Sequence, residues 1–479
     1  MADYLSDDFL LRSKVARSLF HDHAAALPII DFHSHIDPQA VADDRVFGDL
    51  AELWISADPY KWRAMRMNGI AEHAITGGAS SREKFGAWAQ TVPYTVGNPL
   101  YHWTSLELKR YFGVDAPLSP RTADAIWTDC NRQLPEPRLS ARGLLKEANV
   151  ELLCTSDDLL DSLAPHQKMQ AEGGELTMLP SLRADRIVAV DAPGFSAFCK
   201  ALEAATGLRI DGLDAFKAAV RIRMDEFEEV GCCVADIGLD QPVFEPTDDG
   251  LVAGIFERLM AGVTLCALEV RQLKTALLLF LGGEYRRRDW IMQLHIGAQR
   301  TTSERLQRIT GGAGGYACIG SSSDVALVCG LLNKLECRDT LPRTILFTLN
   351  PSDTDMFASV TGSFTSEGIP GKVQFGPAWW FNDNRDGMVR QLKALGNMGL
   401  LGRHIGMTTD SRSLLSYSRH EYYRRILCNL VGEWVEAGEL PRDQDFLQNF
   451  IQDLCYFNAR RWLRPDTEPA FLQRMQGTT

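Results

Sequence analysis

The chain has 479 residues, 45% hydrophobic and 23% charged, an ordinary globular composition long enough to bury a large core without staples. Sixty-two acidic side chains against 50 Lys and Arg leave a net charge of −12, and no basic run exceeds Arg286-Arg287-Arg288, which argues against nucleic acid and anionic membranes as partners. Eleven scattered cysteines without CxxC spacing, an acidic opening segment where a signal peptide would be basic, and apolar runs too short to span a bilayer predict a cytoplasmic protein with no disulfide framework.

Taken in chain order, eight short apolar runs each end in polar or catalytic residue types. They are Leu27 to Phe32 before His33-Ser-His35, Val150 to Thr155 before Ser156-Asp157-Asp158, and Leu176 to Leu182 before Arg183. Gly231 to Ala235 ends at Asp236, Trp290 to Leu294 at His295, and Thr344 to Leu349 at Asn350. Lys372 to Gly376 runs toward Trp379-Trp380, and His404 to Thr409 ends at Asp410. Helical patterns lie between most of them, at Phe195–Thr206, Pro246–Leu281 and 383–401. Strands and helices in alternation, with chemistry at the strand C-termini, predict an α/β fold, a (β/α)8 TIM barrel.

About 115 residues separate the first two strands, far more than one crossover needs, and Trp54, Tyr60, Trp62, Trp88, Trp103 and Trp127 fall among amphipathic stretches there. Residues 39–147 are expected to form a helical lobe inserted after strand one, on the active-site side, within a single domain spanning 1–479. After strand eight, Tyr423, Ile426, Leu427, Leu430, Val431 and Trp434 recur at helical spacing, with Gly438 and Pro441 as stops. The Gly- and Ser-rich stretch 310–323 is expected to be a loop.

His33 and His35 carry the sharpest chemical signal. On a strand, residues i and i+2 share a face, so both imidazoles would converge at the barrel mouth and suit a divalent metal. His21 and His23 have the same spacing in a helical segment, where i and i+2 diverge by about 200° and cannot share an ion. Strand eight closes beside strand one, so Asp410 would complete a two-His, one-Asp set with open positions, the catalytic arrangement. His295 ends strand five on the same rim and is expected to touch metal, water or substrate. No other histidine ends a strand, so one ion is expected.

Arg183 and Arg412 follow strands three and eight. A surface ion pair is the usual fate of one Arg, but two on one rim of an acidic protein argue for an anionic ligand gripped through paired hydrogen bonds. Trp379 and Trp380 could pack against sugar C–H faces and exclude water; Tyr60, Asp236, Asp157 and Asp158 are weaker candidates.

The constellation resembles the amidohydrolase superfamily and, more closely, the uronate (glucuronate) isomerases. The likeness is carried by Ile30-Asp-Phe-His33-Ser-His35, Pro59-Tyr60-Lys-Trp-Arg, Leu153-Cys-Thr-Ser-Asp-Asp158, Pro180-Ser-Leu-Arg183 and Leu294-His295-Ile-Gly-Ala. Trp379-Trp-Phe-Asn-Asp383, Thr409-Asp410-Ser-Arg412-Ser413 and Arg419-His-Glu-Tyr-Tyr-Arg-Arg425 are its most specific parts. The resemblance implies an aldose–ketose isomerase acting on glucuronate/fructuronate or galacturonate/tagaturonate pairs, with one divalent ion, zinc first and manganese or iron acceptable. It implies His33, His35 and Asp410 as ligands and Tyr60, Arg183 and Arg412 as the residues that handle the substrate and its developing charge. Asp410 is the expected base, His295 joins the expected catalytic set from its place on the rim, and Trp379, Trp380, Ser413 and Asp236 are the expected substrate contacts. A homo-oligomer is expected.

Three positions depart from the family pattern. Pro59 and Ile237 stand where it has His, and Gly-Gly-Tyr316-Ala-Cys318 replaces a stretch bearing two acids. One alternative is a metal-dependent hydrolase or lactonase on the same barrel, using metal-bound hydroxide as nucleophile; the other, motivated by Pro59 and Ile237, is a weakly active sugar-acid binder.

Overall fold

The computed structural model describes residues 4–463; the remaining ends of the expected 1–479 domain lie outside the described residues. Seven parallel strands follow one another in sequential order around a single sheet. They are β1 (Ile29–Ser34), β2 (Val150–Asp158), β3 (Thr177–Arg183), β4 (Val234–Leu239), β5 (Ile291–Ile296), β6 (Thr344–Thr348) and β7 (Val373–Phe375). Each matches a run marked by its apolar residues. Parallel neighbours need long crossovers, and helices such as Phe195–Thr206 and Arg385–Met398 supply them.

Two apolar layers result. The inner cluster fills the barrel with Ile30, Phe32, Leu152, Cys154, Ile345 and Phe347, while the larger outer cluster joins the sheet to the helices and includes Leu153, Leu182, Ile237 and Leu294. The alternation of even and odd residues along β2 between these layers is the period-two pattern of a strand covered on both faces. All eleven cysteines are free thiols, and no helix among the described residues is long and apolar enough to cross a membrane.

The eighth expected strand, His404 to Thr409, is not a regular strand. Gly406 takes φ +95°, a left-handed conformation, and a Cβ there would approach Leu454 O to 2.7 Å. The Thr408 hydroxyl then intercepts the backbone of β1: it accepts from His33 N at 2.9 Å and lies 2.6 Å from His33 O. Backbone bonding resumes only beyond it, with Asp410 N donating to His33 O at 3.1 Å and His35 N to Ser411 O at 2.9 Å. The segment still lies beside β1, at the seam where strand eight was expected.

Other departures are local. The 246–281 helical stretch divides into Asp249–Met260 and Ala267–Arg287, broken at Gly262 with φ +82°. Within the 310–323 loop, Cys318–Ile319 pairs antiparallel with Ala298–Gln299. Between β1 and β2 the chain runs through seven α-helices, from Pro38–Ala42 to Ala141–Glu147, with short 3-10 turns between them. Helix α1 (Pro59–Met67) begins there with the Asp58 carboxylate accepting from Tyr60 N at 2.9 Å and Pro59 in the first turn, where a missing N–H costs nothing. This start fixes where Tyr60 points.

Candidate active site

A cavity of about 420 Å³ opens at the C-terminal ends of the strands. His33 and His35 both reach it. Ile30 and Phe32 already face the barrel interior, and a register break in β1 between Asp31 and Ser34 turns His33 onto the cavity as well. Such breaks re-aim side chains beside active sites. His33 Nε2 and His35 Nε2 approach the same atom, Asp410 Oδ1, at 3.3 and 3.1 Å. His21 stays apart, paired with Asp8 at 3.1 Å.

Asp410 is held in several ways. Its backbone takes φ +45°, a conformation costing a non-glycine residue about 1–3 kcal/mol, and Trp379 Nε1 donates to its Oδ2 at 2.9 Å. Burial raises the Asp410 carboxyl's pKa, but hydrogen bonds from His33 and His35 outweigh it and hold the group well below the usual carboxylate range. The Trp379 indole is thus a clamp on a carboxylate, a role its sequence position did not reveal.

Among the described residues, two groups could hold a metal ion: His33, His35 and Asp410, and His33, Asp236 and His295. Both contain His33, so they flank one point. His295 stacks on Phe347 with centroids 4.3 Å apart and stands 4.6 Å from the His33 ring, and its buried Nε2 has no hydrogen-bond partner. Unpartnered buried imidazole nitrogen beside converging nitrogen and oxygen donors fits a divalent cation. Asp236 accepts from Ser156 and Ser181 hydroxyls, each at 3.2 Å.

Arginines surround this centre. Arg183 pairs with Asp185 at 2.9 Å. Arg412 lines the cavity and makes no hydrogen bond or ion pair among the described residues. Burial and then the charge of Arg183 depress it, the position of a cation awaiting an anion. Arg300, absent from the sequence reading, lines the cavity too; it lies five residues beyond His295, and only the adjoining hairpin brings it back. Gly238 makes its room, because a Cβ there would collide with Arg300 Nη2. Gly238→Ala should therefore displace Arg300 and lower kcat/KM about 10- to 100-fold, the scale of a lost hydrogen bond to a charged group, with little change in the urea unfolding midpoint. An unchanged kcat/KM would mean Arg300 plays no part.

The opposite wall is made by Pro59, Gly315, Ala317, Trp380 and Phe381. Arg63 donates to Ala317 O at 2.7 Å and lies over the Phe381 ring, and Arg66 donates to Gly314 O. A Cβ at Gly315 would collide with Pro59 O, so two of the departures from the family pattern touch each other. The third does not reach the site: Ile237 is fully buried in the outer core cluster, and an imidazole there would face packed apolar side chains.

Tyr60 lines the cavity; burial and then the Asp410 charge hold its hydroxyl protonated, well above the usual range, against the opposing charge of Arg419. Trp379 and Trp380 are both at the wall, whereas Ser413 is buried outside the lining and Ser411 takes the wall position.

Asp157 and Asp158 also lie away from the cavity. On the outer side of β2, Thr155 Oγ1 donates to Asp157 Oδ2 at 2.7 Å and stands 2.8 Å from His166 Nε2. Burial pushes Asp157 up to about 7 against the Thr155 hydrogen bond, helped by Asp161 and Asp236, while burial holds His166 down to about 4. The folded chain thus binds a proton at Asp157 that the unfolded chain has released above its ordinary value of 3.8. Relative to Asp157→Asn, the native chain should lose stability as pH rises from about 4 through about 7. Urea midpoints that differ by a constant amount across this range would contradict the assignment.

The family profile described as glucuronate isomerase matches residues 1–463. The chain belongs to the glucuronate isomerase family. A uronate isomerase of Salmonella paratyphi B is 46% identical over 466 residues, covering 96% of this chain and 99% of that protein. The solved structure of uronate isomerase from Thermotoga maritima is similar with a TM-score of 0.91 and 32% identity, covering 96% of this chain and 100% of that one. Glucuronate isomerase from Caulobacter crescentus, at 22% identity and a TM-score of 0.89 over 98% of each chain, shares the fold.

Proposed function

We propose that this chain interconverts aldouronates and ketouronates by proton transfer between C1 and C2, with one divalent ion on His33, His35 and Asp410. The observation that carries the reading is the convergence of these three donors in a cavity that also holds the unpaired Arg412. Two imidazole nitrogens and a carboxylate oxygen suit zinc, with manganese or iron as substitutes. When bound, the ion would polarise the sugar's carbonyl oxygen as a Lewis acid.

The side chains then divide the work. Arg412, with Arg183 and Arg300 beside it, grips the substrate carboxylate and offsets the long-range repulsion of an acidic chain. Asp410 takes the carbon-bound proton and returns it to the neighbouring carbon. So strongly acidic a carboxylate is a weak base, and the transfer depends on a carbon acidified by the adjacent polarised carbonyl. Tyr60, kept protonated by burial, donates to the oxygen on which charge develops. His295 and Asp236 hold the far side of the centre, and Trp379, Trp380 and Phe381 keep water from the enediolate.

The helical residues 39–147 belong in this reading to the same domain, since their buried Trp54, Trp88 and Trp103 join the outer core of the barrel. A cytoplasmic homo-oligomer completes it. Purified protein supplied with zinc or manganese, assayed on glucuronate, galacturonate and their lactones, tests the proposal. Ketouronate formation supports it; lactone hydrolysis without isomerisation, or binding of uronates without turnover, replaces it with a hydrolase or a binding protein.

A further inference from the structure

The missing eighth strand leaves a question of what fixes Asp410 against His33 and His35. Among the described residues, the only backbone bonds between the 404–411 segment and β1 are those of Asp410 N to His33 O and His35 N to Ser411 O. Immediately before them the segment is held by the Thr408 hydroxyl, which accepts from His33 N at 2.9 Å, and by one carboxylate that gathers three of its donors. Asp31, fully buried in β1, accepts from Thr408 Oγ1 at 2.5 Å and Thr409 N at 2.9 Å through Oδ1, and from Thr409 Oγ1 at 2.6 Å through Oδ2. Arg419 donates to Thr409 O at 3.2 Å from the opposite side. Thr408 and Thr409 are therefore pinned on both flanks, and the next residue is Asp410 in its strained φ +45° conformation.

We propose that Asp31 is a positioning residue for the metal centre: its carboxylate replaces the absent strand ladder, sets the register of residues 408–409 against β1, and thereby places Asp410 where it meets both imidazoles. The proposal rests on the metal reading above. Asp31 touches neither substrate nor ion; it acts through Asp410. Asn is the discriminating substitution because it keeps the size of the side chain while turning one acceptor into an NH2 donor. In Asp31→Asn the NH2 group faces one of these donors, so a Thr hydroxyl must turn from donor to acceptor, the anion that draws all three donors together is lost, and Asp410 can relax from its strained conformation. Outer partners of metal ligands typically change affinity 10- to 100-fold.

The test is zinc and manganese affinity of the full chain, measured by competition with a fluorescent chelator, for the native protein, Asp31→Asn and Thr409→Val. Thr409→Val removes one hydroxyl donor and leaves the carboxylate and the Thr409 N–H in place, so it serves if Asp31→Asn does not fold. Affinity should fall 10- to 100-fold in Asp31→Asn and by a smaller factor in Thr409→Val. Saturating metal should restore kcat in both, which loss of a proton-transferring group would not allow. A folded Asp31→Asn that binds metal within twofold of native overturns the inference, as does native-like affinity in Thr409→Val when the first variant fails to fold. If the native chain binds neither ion, the metal reading itself fails, a separate result.

Discussion

Asp410→Asn should abolish nearly all turnover. The amide keeps the shape of the carboxylate and can still accept from Trp379 Nε1, but it cannot take a carbon-bound proton, and removal of general-base help alone costs about 10²–10⁴-fold. It also replaces the anion on which His33 Nε2 and His35 Nε2 converge, so metal content after dialysis should fall as well. The two effects separate by experiment: with metal resupplied to full occupancy, kcat should remain depressed if Asp410 is the base and recover if it is only a ligand. In deuterated water the native chain should place some solvent deuterium at the carbon that receives the proton, because a carboxylate at the cavity wall can exchange its proton before returning it; product fully free of deuterium over many turnovers would favour a hydride shift, or a base so shielded that exchange never competes.

Arg412→Met should produce the second largest loss. The guanidinium stands in the cavity without a hydrogen-bond or ion-pair partner among the described residues, and a charge-assisted, two-pronged contact to a carboxylate contributes about 1.5–3 kcal/mol, so kcat/KM should fall about 10- to 150-fold. Arg183→Met should behave differently, because Arg183 is already paired with Asp185 and its removal leaves that carboxylate without its cation, held only by the Gly238 N–H. Lys at position 412 should rescue only partly, since an ammonium cannot form the planar fork. A neutral aldose that reacts as well as a uronate would remove the carboxylate-gripping role from both residues.

Seven of the eight strands were readable because a buried parallel strand is a short apolar run, and its C-terminal end is where polar chemistry must sit. The same rule located His33, His35, His295 and Asp410. What escaped it depends on side chains meeting through space. Thr408 and Gly406 read as strand residues, yet a hydroxyl capturing the backbone of β1 and a left-handed glycine prevent a regular ladder. Arg300 sits in a hairpin whose pairing with Cys318–Ile319 no periodicity announces. Ile237 and Ser413 stood beside motif residues in sequence, but successive residues on a strand face opposite layers, so adjacency to Asp236 placed Ile237 in the outer core.

Asp31 and Thr409, joined by a hydrogen bond, are 378 positions apart in sequence. Closing so long a loop is entropically expensive before its contacts form, so the centre can be assembled only after the last barrel segment has been synthesised and docked. A chain truncated before residue 404 would carry both imidazoles yet lack the carboxylate and the threonines that hold it. On the proposed metal reading, an ion would reward only a completed circuit: it would fasten the first strand to the last segment, and its binding free energy would be added to the stability of the closed ring and withheld from partly folded forms. Metal supply would then govern how long the finished barrel stays shut, as well as how fast it works.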